Sequence, residues 1–300
     1  MRRTSVSVVR TETYTQRSRV REGLSHFYLC FRNGVEDGDV QPTVRYPPPL
    51  PPVRRRSPWP RLLFGVLAAV VVFAVAVSIL TPSEPPIPIP DGVPPGAGSP
   101  VPAIDVDGPG RTAAQLRDWA EPQADALGIP VVALEAYGHA AAVLARSRPD
   151  CGLAWTTLAG IGSVESRHGR HGGAGADDNA TVSPPIRGVP LDGGPGLAEI
   201  RDTDGGRLDG DPVLDRAMGP MQFIPATWTR WGTDANGDGV ADPDNLDDAA
   251  LSAGRYLCDR GGDLTTANGW TTALFAYNRS TDYMALVRDR AAAYGVGVRP

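Results

Sequence analysis

From Arg111 onward, apolar positions recur with a helical period. Leu116, Trp119 and Ala120 mark a first amphipathic segment, and Pro130, suited to a first helical turn, opens a second that runs to Leu144. Five further segments follow at 151–168, 225–231, 246–259, 269–278 and 281–294. No stretch alternates apolar and polar residues convincingly, so the pattern predicts an all-α domain over 111–300, large enough for one core. One region breaks the pattern. Residues 172–215 are dense in Gly, Asp and Pro without periodicity, and compact domains rarely hold so long a loop unless it is functional.

A different pattern occupies residues 62–80, LLFGVLAAVVVFAVAVSIL, an uncharged apolar run long enough to span a bilayer core of about 30 Å as a helix. Arg54, Arg55, Arg56 and Arg61 precede it, whereas the first charge after it is Glu84. The positive-inside rule then puts the N-terminus in the cytoplasm and everything after Thr81 outside, as a single-pass membrane protein. Ala74-Val75-Ala76 resembles a signal-peptidase site, but the lead and the apolar run are both too long for a cleaved signal. Residues 81–110 are so rich in Pro and Gly that they predict a semi-stiff extracytoplasmic stalk.

Charge divides at the same place. Residues 1–61 carry 12 Arg against five acids and include PPPLPPVRRR, which predicts a disordered basic head. The remainder carries 17 Arg against 29 acids, and an acidic outer half without a basic stripe excludes nucleic acid as a partner. Cysteine narrows the picture further. Cys30 is cytoplasmic on this topology, while Cys151 and Cys258 are both outside with no other partner available, so they predict a disulfide. His168 and His171 lack companions at metal-ligand spacing and are expected to be surface loop residues.

The stretch LAGIGSVESRHG carries the first candidate chemistry. Leu158, Ile161 and Glu165 fall at i, i+3 and i+7, so the carboxylate of Glu165 continues a stripe committed to the interior. Burial and a position near a helix C-terminus both raise a carboxyl pKa, which makes a proton donor at neutral pH. On this stretch alone, an acid satisfied by an arginine would fit equally well.

Two later motifs narrow that choice. ESRHG, GPMQF at 219–223 and AYN at 276–278, in this order, resemble the membrane-bound B type of lytic murein transglycosylase, and GGRLDGD at 205–211 resembles its actinobacterial branch. The resemblance covers about half the chain. It implies a lysozyme-like helical fold that cleaves the bond between N-acetylmuramic acid and N-acetylglucosamine in peptidoglycan glycan strands, leaving a 1,6-anhydro end. On this resemblance Glu165 is the single acid/base, and Ser166, Gln222, Tyr277 and Asn278 position substrate. Peptidoglycan glycan strands are the expected partner, with cell-wall synthesis or division proteins as candidates that the sequence does not identify. Trp228, Trp231 and Trp270 could stack on sugars or belong to the core.

DANGDGVADPDNLDD, residues 234–248, reads as an EF-hand-like loop. Asp234, Asn236 and Asp238 stand at positions 1, 3 and 5, Gly239 supplies the turn, and Val240 offers its carbonyl. Asn245 at position 12 cannot close such a site. The related enzymes have a longer loop, and in that register Asp248 is the closing ligand and Asp242 a water-linked one. The expected cofactor is structural calcium. Two other functions remain open: a hydrolytic muramidase on the same fold, and a non-catalytic calcium-dependent wall-binding module.

Overall fold

The computed structural model describes residues 91–194 and 197–300. The basic head, Cys30 and the apolar span 62–80 lie outside the described residues. Within them, no helix is long and apolar enough to cross a membrane.

Seven α-helices build the domain: α1 (Arg117–Leu127), α2 (Val131–Ser147), α3 (Trp155–Ser166), α4 (Pro225–Trp231), α5 (Leu246–Gly261), α6 (Ala267–Tyr277) and α7 (Thr281–Gly295). Their starts follow local chemistry. Asn245 accepts the Asp247 and Asp248 N–H groups at the start of α5, Thr266 accepts the Gly269 N–H at α6, and Ser280 accepts the Tyr283 N–H at α7. The predicted helix 151–168 is shorter than its periodicity suggested, because Gly152 in the left-handed region breaks the chain before Trp155. Cys151 therefore sits in a preceding 3₁₀ turn, Pro149–Cys151.

The main packing pairs are α2 against α5 and α3 against α7. Leu158 and Ile161 are fully buried on α3, each contributing about 1.5–3 kcal/mol by burial. Gly160 sets the spacing of the second pair: a Cβ there would meet the Val287 carbonyl oxygen at 2.8 Å. The predicted disulfide is present between Cys151 and Cys258, tying that 3₁₀ turn to the end of α5 across a sequence separation of 107. In the chain-entropy picture a loop this long gives about 4 kcal/mol.

Residues 172–215 correct the expectation of a structureless segment. Two small antiparallel ladders are present, β1 (Gly175–Ala176) with β2 (Val182–Ser183), and β3 (Arg187–Pro190) with β4 (Arg216–Met218). Aspartates fold the rest. Asp202 accepts the backbone N–H groups of Asp204, Gly205 and Gly206, and Asp211 those of Val213 and Leu214. Arg187 pairs bidentately with Asp244 at 2.7 and 2.8 Å, fastening β3 to the acidic loop before α5.

The later part of the predicted stalk, 91–110, has neither helix nor strand. Instead of standing off, it lies along α3: the Trp155 Nε1–H donates to the Ser99 carbonyl at 3.0 Å and the Thr156 hydroxyl to that of Gly96 at 2.8 Å. Trp228, Trp231 and Trp270 all prove to be core residues.

Candidate active site

Glu165 lies on the last turn of α3, 6% exposed. The Tyr283 hydroxyl on α7 donates to its Oε1 at 2.6 Å. Its Oε2 is buried and has no hydrogen-bond partner among the described residues. Burial pushes the Glu165 pKa up to about 8, and the Tyr283 hydrogen bond, which favours the ionised form, only partly opposes this. Glu165 also lines a cavity of about 1140 Å³. A buried acid that is protonated at neutral pH, with one oxygen unclaimed, can give up a proton to a ligand brought within reach of that oxygen.

The chain turns sharply after this residue. Arg167 and His168 both take positive φ, at 55° and 61°, unusual for side chains larger than glycine. The His168 N–H reaches back to the Gly162 carbonyl, ending the helix in a Schellman-like turn. That turn folds His168 inward, correcting its expected place on the surface. It is 3% exposed, with Nδ1 at 3.1 Å from the Tyr137 hydroxyl and Nε2 at 3.0 Å from that of Tyr294. Desolvation, aided by Arg170 and Arg290, pushes its pKa down to about 3, so it is a neutral strut across the end of α3. Gly162 makes room for the arrangement, since a Cβ there would overlap the Tyr137 hydroxyl. His171 is exposed, as expected.

The other motif residues gather on one tight loop. Met218 and Phe223 exchange backbone hydrogen bonds at 2.8 and 2.9 Å, closing Gly219-Pro220-Met221-Gln222 between them. Gly219 is required there, because a Cβ would run into the Pro243 carbonyl. Gln222 has φ 52°, and its Nε2 donates to the Gly219 carbonyl at 2.8 Å. Ser166 Oγ donates to the Pro220 carbonyl at 2.7 Å and accepts the Gly169 N–H. The Tyr277 hydroxyl donates to the Met221 carbonyl at 2.7 Å, and its ring meets those of Phe223 and Tyr256 edge-on. Ser166 and Tyr277 thus hold the loop beside Glu165 from two sides. Asn278, the residue that ends α6, is 7% exposed.

Tyr283 escaped the sequence reading. It falls in the apolar stripe of α7 with Val287, Ala291 and Tyr294, where an aromatic reads as core. The available signal was its hydroxyl, which when buried needs a partner.

The acidic loop has several EF-hand features. Asp234 accepts the Gly237 and Gly239 N–H groups, Asp238 those of Val240 and the Asn236 side chain, and buried Asp248 those of Ala235, Asn236 and Asp242. Burial, with repulsion from Asp234 as a smaller cause, pushes the Asp248 pKa up to about 7. These hard oxygen donors suit calcium in kind and order. Their arrangement is incomplete: among the described residues, no three His, Cys, Asp or Glu side chains stand together as a metal centre. A cation would have to draw the carboxylates together.

With this geometry in view, the comparisons bear on one part of it. No curated protein and no solved structure matched the chain. A family model described as Transglycosylase SLT domain matches residues 215–274, from the end of the long loop through GPMQF, the acidic loop and α5 into α6. The match covers about a fifth of the chain and excludes Glu165. It supports a lytic-transglycosylase type of domain acting on peptidoglycan, and the mostly helical architecture agrees with the lysozyme-like fold this implies.

Proposed function

We propose that the domain cleaves peptidoglycan glycan strands without water, with Glu165 as the sole acid/base. The observation that carries this reading is the state of Glu165: buried, protonated at neutral pH and unpaired at Oε2, on a helix end that borders the cavity. Its proton passes to the glycosidic oxygen as that bond to muramic acid C1 breaks. The muramic C6 hydroxyl then bonds to C1, helped by the neighbouring N-acetyl group, and its proton returns to Glu165. No water is consumed, and the product ends in 1,6-anhydromuramic acid. Tyr283 supports the carboxylate in the interval between the two transfers. Ser166, Tyr277, Gln222 and Asn278 position substrate through the 219–222 loop and the end of α6.

One observation keeps hydrolysis as a second reading. Asp125 also lines the cavity, and a muramidase needs a second carboxylate to activate water. Mass spectrometry of digested peptidoglycan separates the two readings. Anhydro ends from wild type but not from Glu165→Gln support the transglycosylase; reducing ends would establish the muramidase. Absence of any product would leave a wall-binding module.

The acidic loop is proposed to hold one calcium ion through Asp234, Asn236, Asp238, the Val240 carbonyl and Asp248, with Asp242 linked through water. The ion would neutralise carboxylates that lack a cationic partner inside the loop, and so brace the start of α5. Chelator should lower the melting temperature of the calcium-loaded protein; an unchanged value would count against the ion. Residues 62–80 are proposed to anchor the chain in the membrane, with the domain outside, near cell-wall synthesis or division proteins.

A further inference from the structure

The cavity beside Glu165 is basic in a domain that is otherwise acidic. Residues 91–300 carry 17 Arg against 28 acids, yet Arg167, Arg170, Arg290 and Arg299 all line this one cavity, facing Asp125 and Glu165. Among the described residues none of the four is ion-paired, a state shared with Arg148, Arg207, Arg230, Arg255 and Arg279 elsewhere in the domain, whereas Arg111, Arg117, Arg146, Arg187, Arg201, Arg216, Arg260 and Arg288 are paired. Two of the four are braced by backbone: Arg170 donates to the Gly128 carbonyl at 2.7 Å and Arg299 to that of Asp125 at 2.8 Å. Arg167 and Arg290 make no side-chain hydrogen bond with the described residues and keep their guanidinium forks free. Arg170 and Arg290 act on His168, and both act with Arg299 on Tyr294, so their field converges on the wall beneath α3.

We infer that this cavity is a subsite for carboxylates, and that it receives the acidic peptide stem carried by the muramic acid held against Glu165. The identity of the ligand rests on the transglycosylase reading above. A guanidinium fork matches a carboxylate bidentately, and two forks free of protein partners can take one without first breaking an ion pair. Position argues for the stem. Glu165 is among the residues lining the cavity, so a group seated on the arginines lies beside the sugar whose bond the proposed reaction cuts. The volume, about 1140 Å³, exceeds what one sugar ring fills and leaves room for a short peptide.

The test is calorimetric titration of the full chain with a soluble N-acetylmuramyl peptide bearing free carboxylates, beside the same peptide fully amidated. Wild type should bind the acid form at least tenfold more tightly than the amide. Arg167→Gln/Arg290→Gln should bring the acid form down to the level of the amide, with the melting temperature retained. Arg290→Gln alone, which leaves the turn after Glu165 untouched, should give a partial loss. Equal binding of acid and amide overturns the inference, as does a double variant that binds the acid like wild type, or no binding of the acid at all. The probe has no scissile bond, so this result is independent of turnover. Failure of the transglycosylase reading would show separately, as missing anhydro ends.

Discussion

Glu135 on α2 and Glu165 on α3 are both withdrawn from solvent, at 0% and 6% exposure, yet their neighbours differ in kind. Glu135 meets the guanidinium of Arg111, which also pairs with fully buried Asp247 through Nε at 2.6 Å, and Arg117 lies 3.3 Å from its other oxygen. Those charges offset one another, and the node joins the segment before α1 to α2 and α5. Each acid leaves one oxygen without a hydrogen bond, but that of Glu135 lies beside the Arg117 guanidinium, whereas Glu165 has no cation, only the Tyr283 hydroxyl on its other oxygen. Burial raises a carboxyl pKa and opposite charge opposes it: Asp247 is raised by burial against the pull of Arg111, and Glu165, with no cation to oppose burial, is pushed up to about 8 and held ready to give away a proton. What distinguishes a reactive buried acid from a structural one here is its partners, because depth is the same.

The largest effect that tests this contrast is on turnover. Glu165→Gln should lower the rate of anhydro-product formation by about 10²–10⁴-fold, the usual weight of a general acid/base. It should also stabilise the fold at high pH. The folded-state pKa of Glu165 lies above its ordinary 4.5, so the protonated form supports the fold below that value and the support is lost as pH rises through about 8. Urea midpoints should therefore favour the variant increasingly between about pH 5 and pH 9. A constant difference would break the assignment.

The opposite response is expected at the other node. Arg111→Met leaves Glu135 and Asp247 buried without their shared cation and should cost about 3–5 kcal/mol in denaturant unfolding. Turnover per folded molecule should stay the same. A mild effect on stability would mean the two carboxyls are not ionised, and the contrast would fail.

Tyr283→Phe sharpens the comparison with the smallest change. Removing a hydrogen bond that favours the carboxylate should move the alkaline limb of the pH–rate profile upward and slow turnover about tenfold. An unmoved limb would mean that Tyr283 acts only in packing.

The helices were legible because each has an apolar face that repeats with the helical period, and Glu165 could be found because it continues such a face with Leu158 and Ile161. The disulfide was legible because residues 111–300 contain two cysteines and so offer only one pairing. His168 was not, since two consecutive residues of positive φ turn its ring back into the core, and nothing in the periodicity marks such a turn. The long loop was illegible for a related reason. Its order comes from aspartates such as Asp202 and Asp211 accepting nearby backbone N–H groups, local bonds with no repeat to read. Ser166 and Tyr277 were singled out as substrate-positioning groups. Their hydroxyls grip the backbone of the 219–222 loop, a contact between distant parts of the chain that spacing does not encode.

The central claim is that Glu165 keeps its proton at neutral pH because burial outweighs its single hydrogen bond. The infrared difference spectrum of wild type minus Glu165→Gln, recorded across pH, isolates that one carboxyl. The account predicts a protonated band that disappears with a midpoint near 8. A midpoint in the ordinary glutamate range, about 4.3, would contradict it.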